Sequence, residues 1–324
     1  MFMKNKKIFL IGLLATIISC SSNVNLSKYY KSYNFNFNSN TPYIKHSVKR
    51  DSKWISVREF GWKFKNKKHT IVLMHGFPDS QHLYDRVIPY LSKKAHVISF
   101  DFLGWGDSEN SVNMEYTSDS LRKDFEAVYD SLNLDLVTLV VHDASGPPGI
   151  DWALDNPSKI KSLVLLNTYY VETKTLRAPE AIDLFSTPSF KNSMISWFAR
   201  QSDSQFRSGV KDQLLKFMAD KPYREKYINV FQFQAPRMRD AFLTLNKNLR
   251  AEVLARKKQV TKLGKFTKKV LIIFGAKDIY LNVGVAKWFQ KIFQNSNLHL
   301  IDNAFHYVQI DAPKKVSKII LSSF

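Results

Sequence analysis

Two mostly apolar runs near the middle of the chain constrain its fold more than any other feature. Residues 136–141 (LVTLVV) and 160–166 (IKSLVLL) consist largely of Leu, Val and Ile. Apolar runs of this length predict β-strands that are covered on both faces, as in a parallel sheet flanked by helices. The stretch around Ala153 between them is helical in pattern and ends at 155–157 (DNP). The pattern therefore predicts a strand–helix–strand unit.

The alternation of strands and helices extends along most of the chain. The other predicted strands are short β-rich runs at 54–60, 70–74, 96–100, 270–274 and 298–301. Predicted helices include 81–91 and 117–132. Residues 168–265 contain no convincing strand but several aromatic stretches with helical spacing. The chain is therefore predicted to be an α/β protein with a mostly parallel sheet, in which a helical cap at 168–265 separates two parts of one core, 42–167 and 266–324.

Five short motifs follow the predicted strands. They are HGFP at 75–78, DFLGWGDS at 101–108, HDASG at 142–146, GAKD at 275–278 and the single residue His306. Parallel α/β sheets hold their functional groups at the carboxyl ends of the strands. In this order and spacing the motifs resemble the α/β-hydrolase fold, in its epoxide hydrolase and haloalkane dehalogenase branch, over roughly residues 50–322. The DFLG segment is also similar to the mesoderm-specific-transcript group of that superfamily.

The resemblance implies an α/β-hydrolase fold in which helices flank the sheet and the helical cap follows the sixth strand. It also implies a nucleophile, an acid and a base in the chain order Asp143, Asp278, His306. His306 would be the general base for water, and Asp278 would orient it. Asn167 stands where some dehalogenases carry the acid, but an amide cannot ionise, so Asp278 is preferred. We expect a small-molecule substrate, no cofactor and no metal.

The residue at the turn of HDASG decides the expected chemistry. Esterases of this fold carry Ser at this position, whereas this chain carries Asp143. A carboxylate attacks an sp³ carbon and forms an alkyl ester, which fits C–halogen bonds and epoxides better than amides. The backbone N–H groups of Phe77 and Ala144 would form the oxyanion hole for hydrolysis of that ester. An alternative interpretation makes Asp143 the N-cap of the following helix.

The same resemblance gives other residues supporting roles. His75 and Gly76 belong to the predicted oxyanion loop, which His75 would orient, and His142 would be structural. Dehalogenases of the branch usually place a Trp directly after the nucleophile to hold the halide, where this chain has Ala144. The halide donor that remains in the predicted cap is Trp197. Candidates for substrate contact, including those for the two cap tyrosines of epoxide hydrolases, are Trp105, Tyr169, Tyr170, Trp197, Tyr223 and Tyr227.

The residues leave three interpretations of function open. The first is a hydrolase with an Asp nucleophile that acts on a small, mostly apolar electrophile such as an epoxide or a haloalkane. The second is an esterase-type or other hydrolase with an unusual turn. The third is a non-catalytic surface lipoprotein that keeps the fold for binding. The complete set of Asp143, Asp278 and His306, together with the oxyanion loop, favours the first.

The first twenty residues have the organisation of an export signal. Three lysines precede an apolar run at 8–18, which is too short to cross a bilayer as a helix. The run ends near Cys20, the single cysteine, in a segment that looks like a bacterial lipobox. We predict a signal peptide at 1–19, lipid attachment at Cys20 and a flexible tether at 20–41, and hence an exported, membrane-anchored lipoprotein. A plain signal peptide and an uncleaved anchor are the alternatives.

Charge is the outlying feature of the composition. The chain holds 48 Lys and Arg residues against 28 Asp and Glu residues, a net charge of +20. Removal of 1–19, with three lysines and no acidic residue, would lower it to +17. Seven basic residues and no acidic one lie between Arg256 and Lys269, which predicts a solvated face against an anionic membrane surface. No nucleic-acid-binding motif is present, and one cysteine excludes an intrachain disulfide.

Overall fold

The computed structural model of the protein describes residues 41–65, 69–110, 114–187, 189–219 and 221–323. The predicted signal peptide, Cys20 and the tether up to residue 40 lie outside these residues. None of the described helices is both long enough and apolar enough to span a membrane.

One eight-stranded sheet forms the core of the described chain. Its strands are β1 (Ile44–Arg50), β2 (Lys53–Phe60), β3 (Thr70–Met74), β4 (His96–Phe100), β5 (Val137–Asp143), β6 (Ile160–Thr168), β7 (Lys269–Gly275) and β8 (Ser296–Ile301). Their spatial order is β1-β2-β4-β3-β5-β6-β7-β8, with β2 antiparallel to both β1 and β4 and all other neighbours parallel. The prediction of a mostly parallel sheet is confirmed.

Helices flank this sheet. The described α-helices are α1 (Ile88–Leu91), α2 (Ser118–Ser131), α3 (Gly146–Asp155), α4 (Glu180–Ser186), α5 (Phe190–Gln201), α6 (Asp203–Phe217), α7 (Tyr223–Ala255), α8 (Val260–Gly264), α9 (Val283–Ile292), α10 (Val308–Asp311) and α11 (Pro313–Leu321). Helices α4 to α8 lie between β6 and β7, and the described residues of this segment contain no strand. The prediction of a helical cap after the sixth strand is therefore confirmed.

The helical prediction holds at α2 and fails before it. In α2, Leu121, Phe125 and Val128 are buried on one face, as their spacing predicts. The single helix predicted over 81–91 is wrong, because the chain forms a 3₁₀ turn at Gln81–Tyr84 and then the short α1. Backbone groups of this turn bond to other elements instead of continuing a helix. The Gln81 N–H donates to Asp101 at 2.6 Å, and the Gln81 carbonyl accepts from Arg58 at 2.9 Å.

The strand β1 is not predicted from the sequence. Its residues, IKHSVKR, include two apolar side chains, of which Val48 is buried and Ile44 is exposed. β1 pairs with β2 alone, at the edge of the sheet. An edge strand with so little buried surface lacks the apolar alternation by which strands are recognised. With β1 included, the strand that precedes the cap is the sixth.

A buried ion pair joins the end of the cap to the core. Arg256, directly after α7, donates through Nε to Asp151 Oδ2 on α3 at 3.0 Å, and its Nη2 lies 2.9 Å from the same oxygen. Arg256 is 8% exposed, so the prediction of a solvated basic face is wrong at this residue. The attraction of a fixed carboxylate, together with the bond from its Nη1 to the Glu252 carbonyl, explains why this cation faces inward. Lys258 and Lys262 remain exposed.

Candidate active site

Asp143 is the last residue of β5, in the turn that leads into α3. Its φ of 47° lies in the left-handed region, which costs energy for a residue other than glycine. A Cβ on Gly146 would come within 1.8 Å of Thr168 Oγ1, so this turn tolerates no side chain there. The Asp143 side chain is 17% exposed. The N-cap of α3 is Ser145, so the alternative in which Asp143 caps this helix is wrong.

The His306 imidazole lies between two carboxylates. Its Nδ1 is 2.8 Å from Asp278 Oδ2, and its Nε2 is 4.0 Å from Asp143 Oδ1. Since Nδ1 bonds a carboxylate, it carries the proton, and Nε2 has no hydrogen-bond partner among the described residues. Burial alone would lower the pKa of His306, but the charges of Asp278 and Asp143 raise it above its ordinary value. The imidazole is therefore a strengthened base near Asp143.

Asp278 is fixed on the far side of this imidazole. Its Oδ1 accepts from the backbone N–H groups of Tyr280 and Leu281 at 2.8 and 3.1 Å, and its Oδ2 accepts from the Asn167 amide at 2.9 Å. Although burial acts to raise it, the charge of His306 and these hydrogen bonds lower the pKa of Asp278. Asn167 Oδ1 also accepts from a backbone N–H at the end of β7, at 2.8 Å. Asn167 therefore holds the Asp278 carboxylate in place.

The predicted oxyanion residues face the Asp143 carboxylate. The Phe77 N–H donates to Asp143 Oδ2 at 3.2 Å, and the neighbouring Ala144 N–H acts to lower the pKa of this carboxylate. Their approach requires glycine at position 76, because a Cβ on Gly76 would lie 2.7 Å from Asp143 Cβ. Burial raises the pKa of Asp143, while His306 and the two N–H groups oppose the rise. The pKa of Asp143 is raised overall, so burial outweighs the neighbours that stabilise its charge.

His75 connects the oxyanion loop with the loop after β4. Its Nδ1 donates to the Gly76 carbonyl at 2.7 Å, and its Nε2 accepts from the Phe102 N–H at 3.2 Å. Burial lowers the pKa of His75 to about 3, so the ring is neutral and keeps both bonds at ordinary pH. This is the placement of an orienting residue.

Residues 69–313 match the model of the alpha/beta hydrolase fold family. The chain belongs to the α/β-hydrolase family. Its curated relatives include hydrolases and other enzymes, and the protein is accordingly an enzyme of the hydrolase class.

The relatives of the hydrolase act on several kinds of small molecule. A haloalkane dehalogenase of Agrobacterium fabrum is 24% identical over 293 residues, which cover 85% of this chain and 93% of the relative. A cis-3-alkyl-4-alkyloxetan-2-one decarboxylase of Shewanella oneidensis is 29% identical over 259 residues, or 76% of this chain and 79% of the relative. The crystal structure of the haloalkane dehalogenase DatA of Agrobacterium tumefaciens shares the fold, with a TM-score of 0.73 and 20% identity over 89% of this chain and 99% of that one.

The hydrolase has a second buried carboxyl group near Asp143, at Asp79. The Tyr307 O–H donates to Asp79 Oδ1, and Asp79 Oδ2 lies 3.9 Å from His142 Nδ1. His142 Nε2 donates to the His306 carbonyl at 3.2 Å, which leaves Nδ1 as an acceptor. Within the described part of the chain, neither Asp79 Oδ2 nor His142 Nδ1 has a hydrogen-bond partner. Burial raises the pKa of Asp79 to about 8, so this carboxyl group is protonated at neutral pH.

Asp79→Asn is expected to make the stability of the hydrolase less sensitive to rising pH. The folded protein binds the Asp79 proton more tightly than the unfolded chain does. The stability that this proton contributes to the wild type is therefore lost as the pH rises from 3.8 to about 8. One such proton changes the free energy of unfolding by up to about 1.4 kcal/mol per pH unit. Asn keeps an acceptor for Tyr307 and presents an N–H to His142. Urea unfolding across this pH range should show the variant gaining on the wild type as the pH rises.

The exposed Asp302 provides the matched control for this measurement. Asp302→Asn should follow the pH dependence of the wild type. Parallel stability curves for Asp79→Asn and the wild type would show that Asp79 is already ionised in the folded protein.

Of the four candidate tyrosines, Tyr169 has its backbone beside the turn at Asp143, because a Cβ on Gly146 would lie 3.1 Å from the Tyr169 carbonyl oxygen. Thr168, the residue before it, donates through Oγ1 to the Asp143 carbonyl at 2.6 Å. Burial and then the charge of Asp143 raise the pKa of Tyr169, so its phenol stays protonated at ordinary pH. The O–H groups of Tyr170 and Tyr223 are engaged elsewhere, with Asp151 at 2.6 Å and with Asp311 at 2.9 Å. The fourth candidate, Tyr227, is buried within the cap.

The two candidate tryptophans lie in different environments. Trp197 on α5 is 57% exposed, so its indole is not buried beside Asp143. Trp105 is 1% exposed, and its ring centroid lies 3.9 Å from that of Phe77. The buried Trp105 Nε1–H has no hydrogen-bond partner in the ranges that the structure describes. Trp105 is therefore the indole that adjoins the oxyanion loop.

Proposed function

We propose that the hydrolase uses Asp143 as a nucleophile that forms an alkyl ester with its substrate. The observation that carries this proposal is that the two oxygens of this carboxylate face different groups. Oδ2 accepts the Phe77 N–H, whereas Oδ1 lies 4.0 Å from His306 Nε2. Oδ1 would attack an sp³ carbon, and the leaving group would depart with the electron pair of the broken bond. Oδ2 would become the carbonyl oxygen of the ester, beside the Phe77 N–H.

Water would then cleave the ester at its carbonyl carbon. His306 Nε2 would accept a proton from the water as its oxygen adds to that carbon, and Asp278 would stabilise the imidazolium. The Phe77 and Ala144 N–H groups would hold the negative charge that develops on Oδ2. Collapse of this intermediate would release the alkyl oxygen as an alcohol, which takes its proton from His306. The regenerated carboxylate of Asp143 would then contain one oxygen from water.

We propose a strained oxygen ring, an epoxide or an oxetanone, as the substrate class. Ala144 provides no indole directly after the nucleophile to hold a halide. Two available donors, the protonated Tyr169 O–H and the buried Trp105 N–H, would suit an oxygen that becomes negatively charged as its ring opens. The relative named for its action on cis-3-alkyl-4-alkyloxetan-2-ones supports a ring of this kind. Phe77, Phe217 and Trp105 favour small apolar substituents.

Oxygen-18 labelling tests the proposed nucleophile. The hydrolase, in excess over the substrate, is allowed one turnover in ¹⁸O-labelled water with an epoxide, an oxetanone or a chloroalkane. The peptide that contains Asp143 should gain one ¹⁸O, and the oxygen delivered to the attacked carbon should be unlabelled, because it comes from Asp143. Label in the product and none in this peptide would show direct attack by water and overturn the proposal. Preference for the chloroalkane over both rings would overturn the proposed leaving group.

A further inference from the structure

The loop that carries His306 is bound to the cap through one carboxylate, that of Asp311. Asp311 is the last residue of α10, five positions after the imidazole. Its Oδ2 accepts from the Phe305 N–H at 2.8 Å. Its Oδ1 accepts from the Ala219 N–H at 3.1 Å and from the Tyr223 O–H at 2.9 Å. One carboxylate thus bonds two residues of the cap and the residue directly before His306.

A second set of contacts joins the same two segments. The Tyr307 N–H donates to the carbonyl of Phe217, the last residue of α6, at 3.0 Å. The Phe217 ring lies over the imidazole, with the two ring centroids 4.4 Å apart. The residues on both sides of His306 are therefore connected to the cap. Phe305, before it, is connected through the Asp311 carboxylate, and Tyr307, after it, is bonded directly to Phe217. Both bonds come from the stretch of the cap between α6 and the start of α7.

The bond from His306 to Asp278 cannot by itself fix the position of the base. It holds Nδ1, at 2.8 Å, whereas the distance from Nε2 to Asp143 also depends on the backbone at 305–307. A displacement of about 1 Å in a reacting group costs about 10²-fold in rate. The step that needs His306 is ester hydrolysis, since alkylation of Asp143 needs only the nucleophile and the leaving-group donors.

We propose that Asp311 is a positioning residue that keeps the loop of the general base in register with the cap. The His306 imidazole then reaches the ester only while the cap is in its place over the site. This inference rests on the proposed function for its catalytic consequence, but the mechanical connection between cap and loop stands independently of it. Asp311 touches neither the substrate nor the reacting atoms and acts through Phe305 and Ala219.

The substitution Asp311→Asn separates the two sides of this connection. Asn offers one acceptor oxygen, and its NH₂ group would face an N–H donor on the other side, so one set of bonds is lost. Hydrogen–deuterium exchange should then speed up by about 10-fold or more at the amides of both 217–219 and 303–307. Asp302→Asn, at an exposed acidic residue of the same loop, should leave both segments unchanged. Tyr223→Phe removes one cap bond and should give a smaller increase.

Rapid-quench kinetics with an epoxide supplies the catalytic readout. In Asp311→Asn the rate of alkylation should stay within about threefold of the wild type, while ester hydrolysis falls about 10- to 100-fold and the ester accumulates. A merely destabilised protein would lose both steps in the same proportion, which would overturn the positioning role, as would unchanged exchange in both segments. If the wild type forms no ester with any substrate, the proposed function fails, and the exchange data still decide whether Asp311 connects cap and loop.

Discussion

Replacing Asp143 with Ala is expected to lower turnover of the preferred substrate by about 10⁴-fold or more. The substitution removes the oxygen that bonds to the substrate, and neither Ala144 nor Ser145 offers a replacement, because the Ser145 hydroxyl is buried and donates to the Met74 carbonyl at 2.9 Å. Initial rates under substrate saturation measure this loss. The fold should remain, since burial raises the pKa of Asp143 and the ionised carboxylate is a cost to the folded state.

The isosteric variant Asp143→Asn separates charge from shape. It keeps an acceptor for the Phe77 N–H, yet an amide is a poor nucleophile, so it should show nearly the same loss as Ala. Asp135→Asn, at an exposed residue just before β5, is the matched control and should retain wild-type activity. Turnover within about tenfold of the wild type in both Asp143 variants would instead favour a hydrolase that activates water directly, without an ester.

The parts of the fold that are predictable from sequence are those whose signal is local. The runs at 136–141 and 160–166 form most of β5 and β6, because strands that are buried on both faces are mostly apolar. Each motif at a strand end lies where parallel strands place their last residues. Asp143 and His306 are 163 positions apart in the chain, and no local pattern links them. The sheet nevertheless brings Asp143 Oδ1 to 4.0 Å from His306 Nε2.

What the sequence does not reveal depends on contacts between distant segments. Asp79 directly follows the HGFP motif. Its importance comes from its burial against Tyr307 and His142, which the periodicity of the sequence cannot show. Tyr169 and Tyr170 are adjacent and chemically identical. Tyr170 donates its O–H to Asp151, whereas the charge of Asp143 acts on the pKa of the buried Tyr169, so only the fold distinguishes the two residues. The sequence does contain one useful signal for this pair. Side chains alternate along an extended chain, so Tyr169 and Tyr170 are expected to point to opposite sides.

His306→Gln is expected to convert the hydrolase into a single-turnover enzyme. Alkylation of Asp143 should proceed at nearly the wild-type rate, because Oδ1 needs no proton transfer to attack. Hydrolysis of the ester should fall by about 10²- to 10⁴-fold, the usual contribution of a general base. Intact-protein mass spectrometry after mixing with an epoxide should then show one added substrate per protein, and peptide mapping should place it on the segment that contains Asp143.

The control for this experiment is His299→Gln, the same substitution on β8, which should turn over continuously without an adduct. Wild-type hydrolysis should also fail as the pH drops, because a protonated imidazole cannot accept a proton from water. Since the charges of Asp278 and Asp143 raise the pKa of His306, this loss should begin above the ordinary histidine value of 6.5. His306→Gln should show no such loss in its alkylation step. No other imidazole of the described residues bonds Asp278. If the adduct of His306→Gln hydrolysed as fast as that of the wild type, His306 would not be the base.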